Sequence, residues 1–122
     1  MNNTSAEDVS YPNKLRNAKK NTQSLTLAQP AVMENFMELR KAAVANGALD
    51  TKTKELMALA ISITARCDDC IAYHTHDALE AGATREEIAD AIGVAILMGG
   101  GPSMLYAAHA IEALDQFSEA GR

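Results

Sequence analysis

The sequence has no tryptophan, 4% aromatic residues, three prolines and two cysteines among its 122 residues. With so few aromatic side chains, any hydrophobic core must be built mostly from Ala, Leu, Ile, Val and Met, a composition that suits closely packed helices. Hydrophobic residues nevertheless make up 48% of the chain. The length favours a single domain.

The sequence also lacks a basic stripe and a long hydrophobic run. The formal net charge is −5 and the pI is near 5.1, which argues against binding to nucleic acid. No polybasic segment accompanies an amphipathic helix, so an anionic membrane surface is not expected either. The longest apolar run, 56–65, is far shorter than the ~20 residues that span a bilayer.

No stretch within residues 1–29 has the apolar core of a signal peptide. We therefore expect a cytoplasmic protein, in which a stable structural disulfide would be unusual. Both cysteines belong to one Cys-x-x-Cys motif, and in a reducing compartment this spacing indicates redox chemistry or metal binding.

Capping and turn residues divide the chain into helices. We expect residues 1–29 to be a polar N-terminal tail, in which 13–20 can form a short helix, and residues 30–122 to be a helical domain. Pro30 is suited to the first position of a helix, and Gly47 is a natural stop. Asp50 or Thr51 can cap the next helix, which runs to about residue 65.

The second half of the chain carries equally clear signals. A break near Arg66 precedes a helix over about 68–81, and Thr84 with Glu87 forms a capping box for the next one. The run 99–102, Gly-Gly-Gly-Pro, is a firm break before the last helix. No segment has a clear strand pattern. The prediction is an all-α, compact bundle of five to six helices.

Two of these helices are unusually apolar. The helix that begins near Asp50 is apolar on most of its circumference, which predicts that it is central and buried. On the last helix we expect Leu105, Ile111 and Leu114 to form an exposed stripe. Since large exposed apolar patches mark interfaces, we expect a homo-oligomer.

The chemistry is expected to lie on Cys67, Cys70 and His74. Cys70 and His74 are four residues apart on a predicted helix and therefore share a face. A thiol near a helix N-terminus and beside an imidazole forms thiolate more readily. Cys70 is therefore the predicted attacking thiolate, and Cys67 its resolving partner.

Glu55 lies twelve positions before Cys67. In one straight helix the two would be roughly 18 Å apart. A chain reversal near Arg66 would instead bring Glu55 alongside Cys70 and His74, where a buried carboxylate needs a partner. His74, directly or through a water molecule, is the predicted partner. The alternative is that Glu55 is only an acid near the start of its helix, where it complements the dipole.

Zinc is the main alternative for the cysteines, since Cys67, Cys70, His74 and His76 supply four ligand types within ten residues. On a helix, however, His76 is rotated by about 240° from Cys70. We expect no metal and no cofactor. His76 and His109 are interpreted as solvated or capping residues, and Tyr73 and Tyr106 as core or interface residues.

The spacing Glu55-x11-Cys67-x2-Cys70-x3-His74 resembles the signature of the alkyl hydroperoxidase D-like branch of the carboxymuconolactone decarboxylase family. The flanking segments are similar to that family as well, and the resemblance covers about residues 30–113. The segments that carry it are 47–56, 81–84, 86–88 and 98–102.

This resemblance implies an all-helical fold of the alkyl hydroperoxidase D-like type that assembles as trimers or hexamers. It also implies a peroxidase in which the second cysteine, here Cys70, attacks peroxide and the first, Cys67, resolves the sulfenic acid. His74 then relays the proton and Glu55 orients His74 and receives the proton. Antioxidant defence is the implied role.

The expected partners are a hydroperoxide or disulfide substrate and a thiol reductant whose identity the sequence does not give. Disulfide reduction by the same cysteine pair is part of this hypothesis. Two further hypotheses are a non-catalytic redox-sensing oligomer and a lyase similar to carboxymuconolactone decarboxylase. The cysteine pair does not mark the decarboxylase branch.

Overall fold

A computed structural model describes residues 10–120, and within that range it contains six α-helices and no strand. The all-α prediction is therefore confirmed, with the larger of the two expected helix numbers. The helices are α1 Tyr11–Ala28, α2 Pro30–Val44, α3 Thr51–Thr64, α4 Asp68–Glu80, α5 Arg85–Gly99 and α6 Gly101–Ala120. None of them is long and apolar enough to cross a membrane.

The capping signals of the sequence set several helix boundaries. Asp50 caps α3 by accepting a hydrogen bond from the Thr53 N–H at 2.8 Å. Thr84 and Glu87 form both bonds of the predicted capping box at the start of α5. Pro30 opens α2 as expected, and Gly100 alone separates α5 from α6.

The N-terminal segment is more ordered than the sequence pattern indicated. In place of a short helix over 13–20, α1 extends over 18 residues, and Tyr11 and Leu15 are buried in the core. Ser10 caps α1 and Pro12 lies in its first turn. These residues are a helix start signal, but the segment was interpreted as a tail because its composition is polar. Residues 1–9 of the expected tail lie outside the described part of the chain.

The core lies around α3, which packs against α4, α5 and α6. Its largest fully buried aliphatic side chains are Leu59, Ile63, Ile71, Ile88 and Leu114. The central position of α3 agrees with its apolar sequence, but one side of it is open. Met57 and Ile61 are exposed there, Ile61 by 63%.

The expected stripe on α6 is wrong. Leu114 is 1% exposed and belongs to the core, and Ile111 is partly buried against it, whereas Leu105 is 64% exposed. A helix turns about 100° per residue, so Leu105 and Leu114 point in opposite directions. Of the three predicted residues, Leu105 is the exposed one.

The chain reverses between α3 and α4 through a Schellman motif. The Cys67 N–H donates to the Ser62 carbonyl and the Arg66 N–H donates to the Ile63 carbonyl, each at 3.1 Å. Arg66 has a φ of 58° and so occupies the left-handed position that glycine usually takes. The end of α4 repeats the motif with Gly82, whose φ is 93°.

Opposite substitutions at these two turns should have opposite effects on stability. We expect Arg66→Gly to raise the free energy of unfolding by about 1 kcal/mol, because left-handed backbone costs an L-residue roughly 1–2 kcal/mol. Gly82→Ala should lower it by a similar amount. A Cβ at position 82 would meet no atom within 4 Å, so that change tests the backbone alone. Urea unfolding of both variants measures the two changes in the free energy of unfolding. Changes of the same sign would contradict the prediction.

Candidate active site

Glu55 and His74 form a direct contact across the α3–α4 pair. The chain reversal at Arg66 brings α4 back alongside α3, and His74 Nδ1 lies 2.8 Å from Glu55 Oε1. The Glu55 side chain is only 5% exposed and that of His74 is 23% exposed. Glu55 lies beyond the first turn of α3, which contains no acidic residue. Its contact is with His74, so the alternative of a simple first-turn acid is not supported.

The two cysteines lie at the start of α4, as the sequence predicted. Cys67 is the N-cap residue and Cys70 is in the first turn, and their sulfurs are joined in a disulfide. The Cys67 sulfur also accepts the Cys70 backbone N–H at 3.2 Å. The pair therefore lies at the positive end of the helix dipole, where negative charge is stabilised.

A cavity of about 370 Å³ opens beside Cys70 and His74. Its size is within the ordinary range of small-molecule sites. Most of its wall is apolar, and much of that wall comes from α2. The lining residues are Thr22, Met33, Phe36, Met37, Leu39, Arg40, Ala43, Val44, Cys70, Tyr73 and His74. Cys70 thus faces the cavity, whereas Cys67 is not among its lining residues.

Arg40 links α2 to the site, and it was not among the predicted site residues. Its guanidinium donates to Asp77 Oδ2 at 2.5 Å and lies over the Tyr73 ring, 5.2 Å from the ring centroid. No residue of α2 is buried, and this contact ties the cavity wall to α4. Arg40 shares a helix face with Met33, Phe36, Met37 and Val44, so a single charge within an apolar stripe is the sequence signal that could have identified it.

The structure does not assemble the zinc set that the sequence allowed. Both sulfurs are used in the disulfide, and His76 instead contacts Asp77 at 3.0 Å and packs on the Phe117 ring. A different group, Glu55, His74 and Asp77, has ligand atoms within 4.8 Å of one another. The Asp77 carboxylate already forms an ion pair with the Arg40 guanidinium, whose positive charge opposes binding of a metal cation at this group.

The sequence is similar to known proteins over most of its length. The model of the carboxymuconolactone decarboxylase family matches residues 30–113. An uncharacterised protein of Cupriavidus necator is 44% identical over 92 residues, 75% of this chain and 81% of its own length. The alkyl hydroperoxide reductase AhpD of Mycolicibacterium paratuberculosis is 36% identical over 62 residues, 51% of this chain and 35% of that protein.

Solved structures resemble the whole fold. A carboxymuconolactone decarboxylase family protein of Legionella pneumophila, in its apo form, is 39% identical with a TM-score of 0.85 over 88% of this chain and 96% of its own. A family member from Thermotoga maritima, suggested to take part in an antioxidative response, is 33% identical. Its TM-score is 0.80 over 88% of this chain and 92% of its own.

Proposed function

Because the chain belongs to the carboxymuconolactone decarboxylase family, we propose that it is a dithiol peroxidase of the alkyl hydroperoxidase D-like branch. The observation that carries this proposal is that Cys70 and His74 line one cavity, with the buried Glu55 carboxylate in contact with His74. The AhpD relative and the suggested antioxidative role of the Thermotoga protein support it. Antioxidant defence in the cytoplasm is the corresponding role.

The proposed reaction begins with the reduced protein. The Cys70 thiolate attacks one oxygen of a hydroperoxide, so an S–O bond forms, the O–O bond breaks and the alcohol leaves after taking up a proton. The Cys67 thiol then attacks the Cys70 sulfenic acid, which forms the S–S bond and releases water. Two thiols and one hydroperoxide thus give one disulfide, one alcohol and one water. A dithiol reductant restores both thiols and is itself oxidised to a disulfide.

In this mechanism Glu55 and His74 move the proton. His74 takes the proton of the Cys70 thiol and returns one to the departing alcohol oxygen. Glu55 orients the imidazole through the 2.8 Å contact and compensates its positive charge. The burial of Glu55 strengthens this coupling, because charges interact more strongly away from water.

The cavity wall favours a hydroperoxide with an apolar body. Apolar side chains of α2 make up most of the wall, and Arg40 is already paired with Asp77. Apolar contact with such a wall stabilises a bound organic group by about 25 cal/mol per Å² of buried surface. Hydrogen peroxide has no such surface, so an alkyl hydroperoxide should react faster.

The assignment of the two cysteines can be tested with matched serine variants. After reaction with cumene hydroperoxide, reduced Cys67→Ser should gain one oxygen atom on Cys70, since the sulfenic acid cannot be resolved. Cys70→Ser should show little reaction under the same conditions. Mass spectrometry with a sulfenic-acid trap measures both. Faster oxidation of Cys67 in the Cys70→Ser protein would reverse the assignment.

The relay can be tested by Glu55→Gln, which keeps the shape of the side chain and removes the negative charge that makes His74 an effective base. We expect the rate of peroxide reaction to fall by roughly 10²–10⁴, the usual contribution of general base catalysis. His74→Gln should have a similar effect, and the double variant should be little worse than either single one. Glu80→Gln, an exposed acid on α4, is the control. A wild-type rate for Glu55→Gln would remove Glu55 from the mechanism.

The same cysteine pair could reduce disulfides in place of peroxides, and the substrate panel separates these reactions. A lyase activity would not depend on both cysteines. A purely redox-sensing oligomer would form the disulfide without turnover in the presence of a thiol reductant.

We also propose that the protein is a homo-oligomer, of three or six subunits by resemblance to the family. Exposed apolar side chains cluster where α3 meets α5, and line a shallow second cavity of about 380 Å³. Ile61, Val94 and Met98 are the most prominent, and a monomer would leave them in water. Exposed patches of this kind mark interfaces.

Val94→Lys should lower the mass of the assembly, because burying an unpaired charge at an interface costs several kcal/mol. Glu86→Lys, an exposed change on the same helix, is the matched control. Light scattering at micromolar concentration measures both. A wild-type protein that is monomeric would contradict the proposal, as would a Val94→Lys protein of unchanged mass.

A further inference from the structure

A second acid–imidazole cluster lies at the start of α4. Asp68 Oδ1 accepts a hydrogen bond from the Tyr11 hydroxyl at 3.2 Å, and His109 Nδ1 lies 2.8 Å from the same oxygen. The three residues come from α4, α1 and α6. This cluster is separate from the Glu55–His74 pair, and the mechanism above does not use it.

Asp68 immediately follows Cys67, the N-cap residue of α4. A carboxylate close to a thiol disfavours the thiolate through like-charge repulsion. A free Asp68 side chain would therefore make Cys67 less reactive. Two donors on one oxygen hold the carboxylate towards α1 and α6 and offset its charge.

Both donors are themselves held in place. Burial raises the pKa of the Tyr11 phenol, and the negative charge of Asp68 raises it further, so the hydroxyl keeps its proton and remains a donor. The Tyr106 ring packs edge-on against the His109 ring at 5.0 Å between centroids. The position of the Asp68 carboxylate is therefore fixed by contacts with two other helices and does not depend on one flexible side chain.

We propose that His109 and Tyr11 are positioning residues for Cys67: they restrain and compensate the Asp68 carboxylate and so keep Cys67 able to react. The inference rests on the proposed function only in requiring a reactive thiol at position 67. Tyr11 lies outside residues 30–113, the part of the chain that matches the family. Through its bond to Asp68, α1 therefore contributes to this site from outside the matched part.

The other charges near this cluster are few. Asp69 is exposed beside Asp68, Glu112 adds negative charge near Tyr11, and Lys14 lies over the Tyr11 ring at 5.9 Å. Within residues 10–120, neither α3 nor α5 places a charged side chain in hydrogen-bond or ion-pair contact with His109. Asp68 is thus the acid through which His109 acts.

The test uses the full chain carrying Cys70→Ser, in which Cys67 is the one remaining cysteine. The rate of alkylation by iodoacetamide is followed against pH. Adding His109→Leu should move the midpoint of this profile up by about 0.5–1 pH unit, which slows alkylation roughly three- to tenfold below the midpoint. Tyr11→Phe should move it in the same direction by less.

A double-mutant cycle separates this role from simple packing. In the presence of Asp68→Asn, His109→Leu should no longer move the midpoint, because no carboxylate remains to be compensated. A packing role would persist in both backgrounds and would appear in thermal unfolding. His76→Leu, which removes the histidine bonded to Asp77 on α4, is the control and should leave the midpoint unchanged.

Two results would overturn the inference: an unchanged midpoint in His109→Leu, or a shift that survives Asp68→Asn. The alkylation assay needs no peroxide. A protein that does not react with hydroperoxides would therefore refute the proposed function but leave the alkylation result valid. Conversely, a wild-type chain that turns over peroxide, together with a midpoint that His109→Leu does not move, would refute only the inference.

Discussion

The site depends on the reversal of the chain between α3 and α4. A Schellman turn with Arg66 in left-handed backbone ends α3, and the next residue, Cys67, caps α4. This turn sets α4 alongside α3, so that the buried Glu55 carboxylate meets the His74 imidazole. A carboxylate at this depth is costly unless it is paired. The contact therefore stabilises the helix pair in the one arrangement that also presents Cys70 to the cavity.

The cavity has a second, weaker support. The α2 helix provides most of the apolar wall but buries none of its own residues, and Arg40 is its polar link to α4. Val32, Phe36 and Leu39 remain exposed on α2. Such a helix gains little from packing within one chain. A neighbouring subunit that covered α2 as well as the patch between α3 and α5 would stabilise the wall of the proposed substrate site.

Much of this arrangement could be predicted from the sequence, because its signals are local. Caps at Asp50 and Thr84 fix helix starts, and one acid in an apolar stretch identifies Glu55 as a residue that needs a partner. Other features depend on helices far apart in sequence. The Tyr11–Asp68 and Arg40–Asp77 contacts join residues 57 and 37 positions apart, and no local pattern encodes them. The α6 stripe was wrong because Leu105 and Leu114, nine residues apart, lie on opposite faces of a helix and cannot belong to one stripe.

Reduction of hydroperoxides by Cys67 and Cys70, with Glu55 and His74 as the proton relay, can be measured in one experiment. The fully reduced protein is mixed with cumene hydroperoxide in a stopped-flow instrument, and the mass of the chain is then determined. We expect rapid reaction, loss of two hydrogens per chain and full recovery on reduction with a dithiol. Slow reaction that is the same for wild type and His74→Gln, or cysteines that stay reduced, would contradict it.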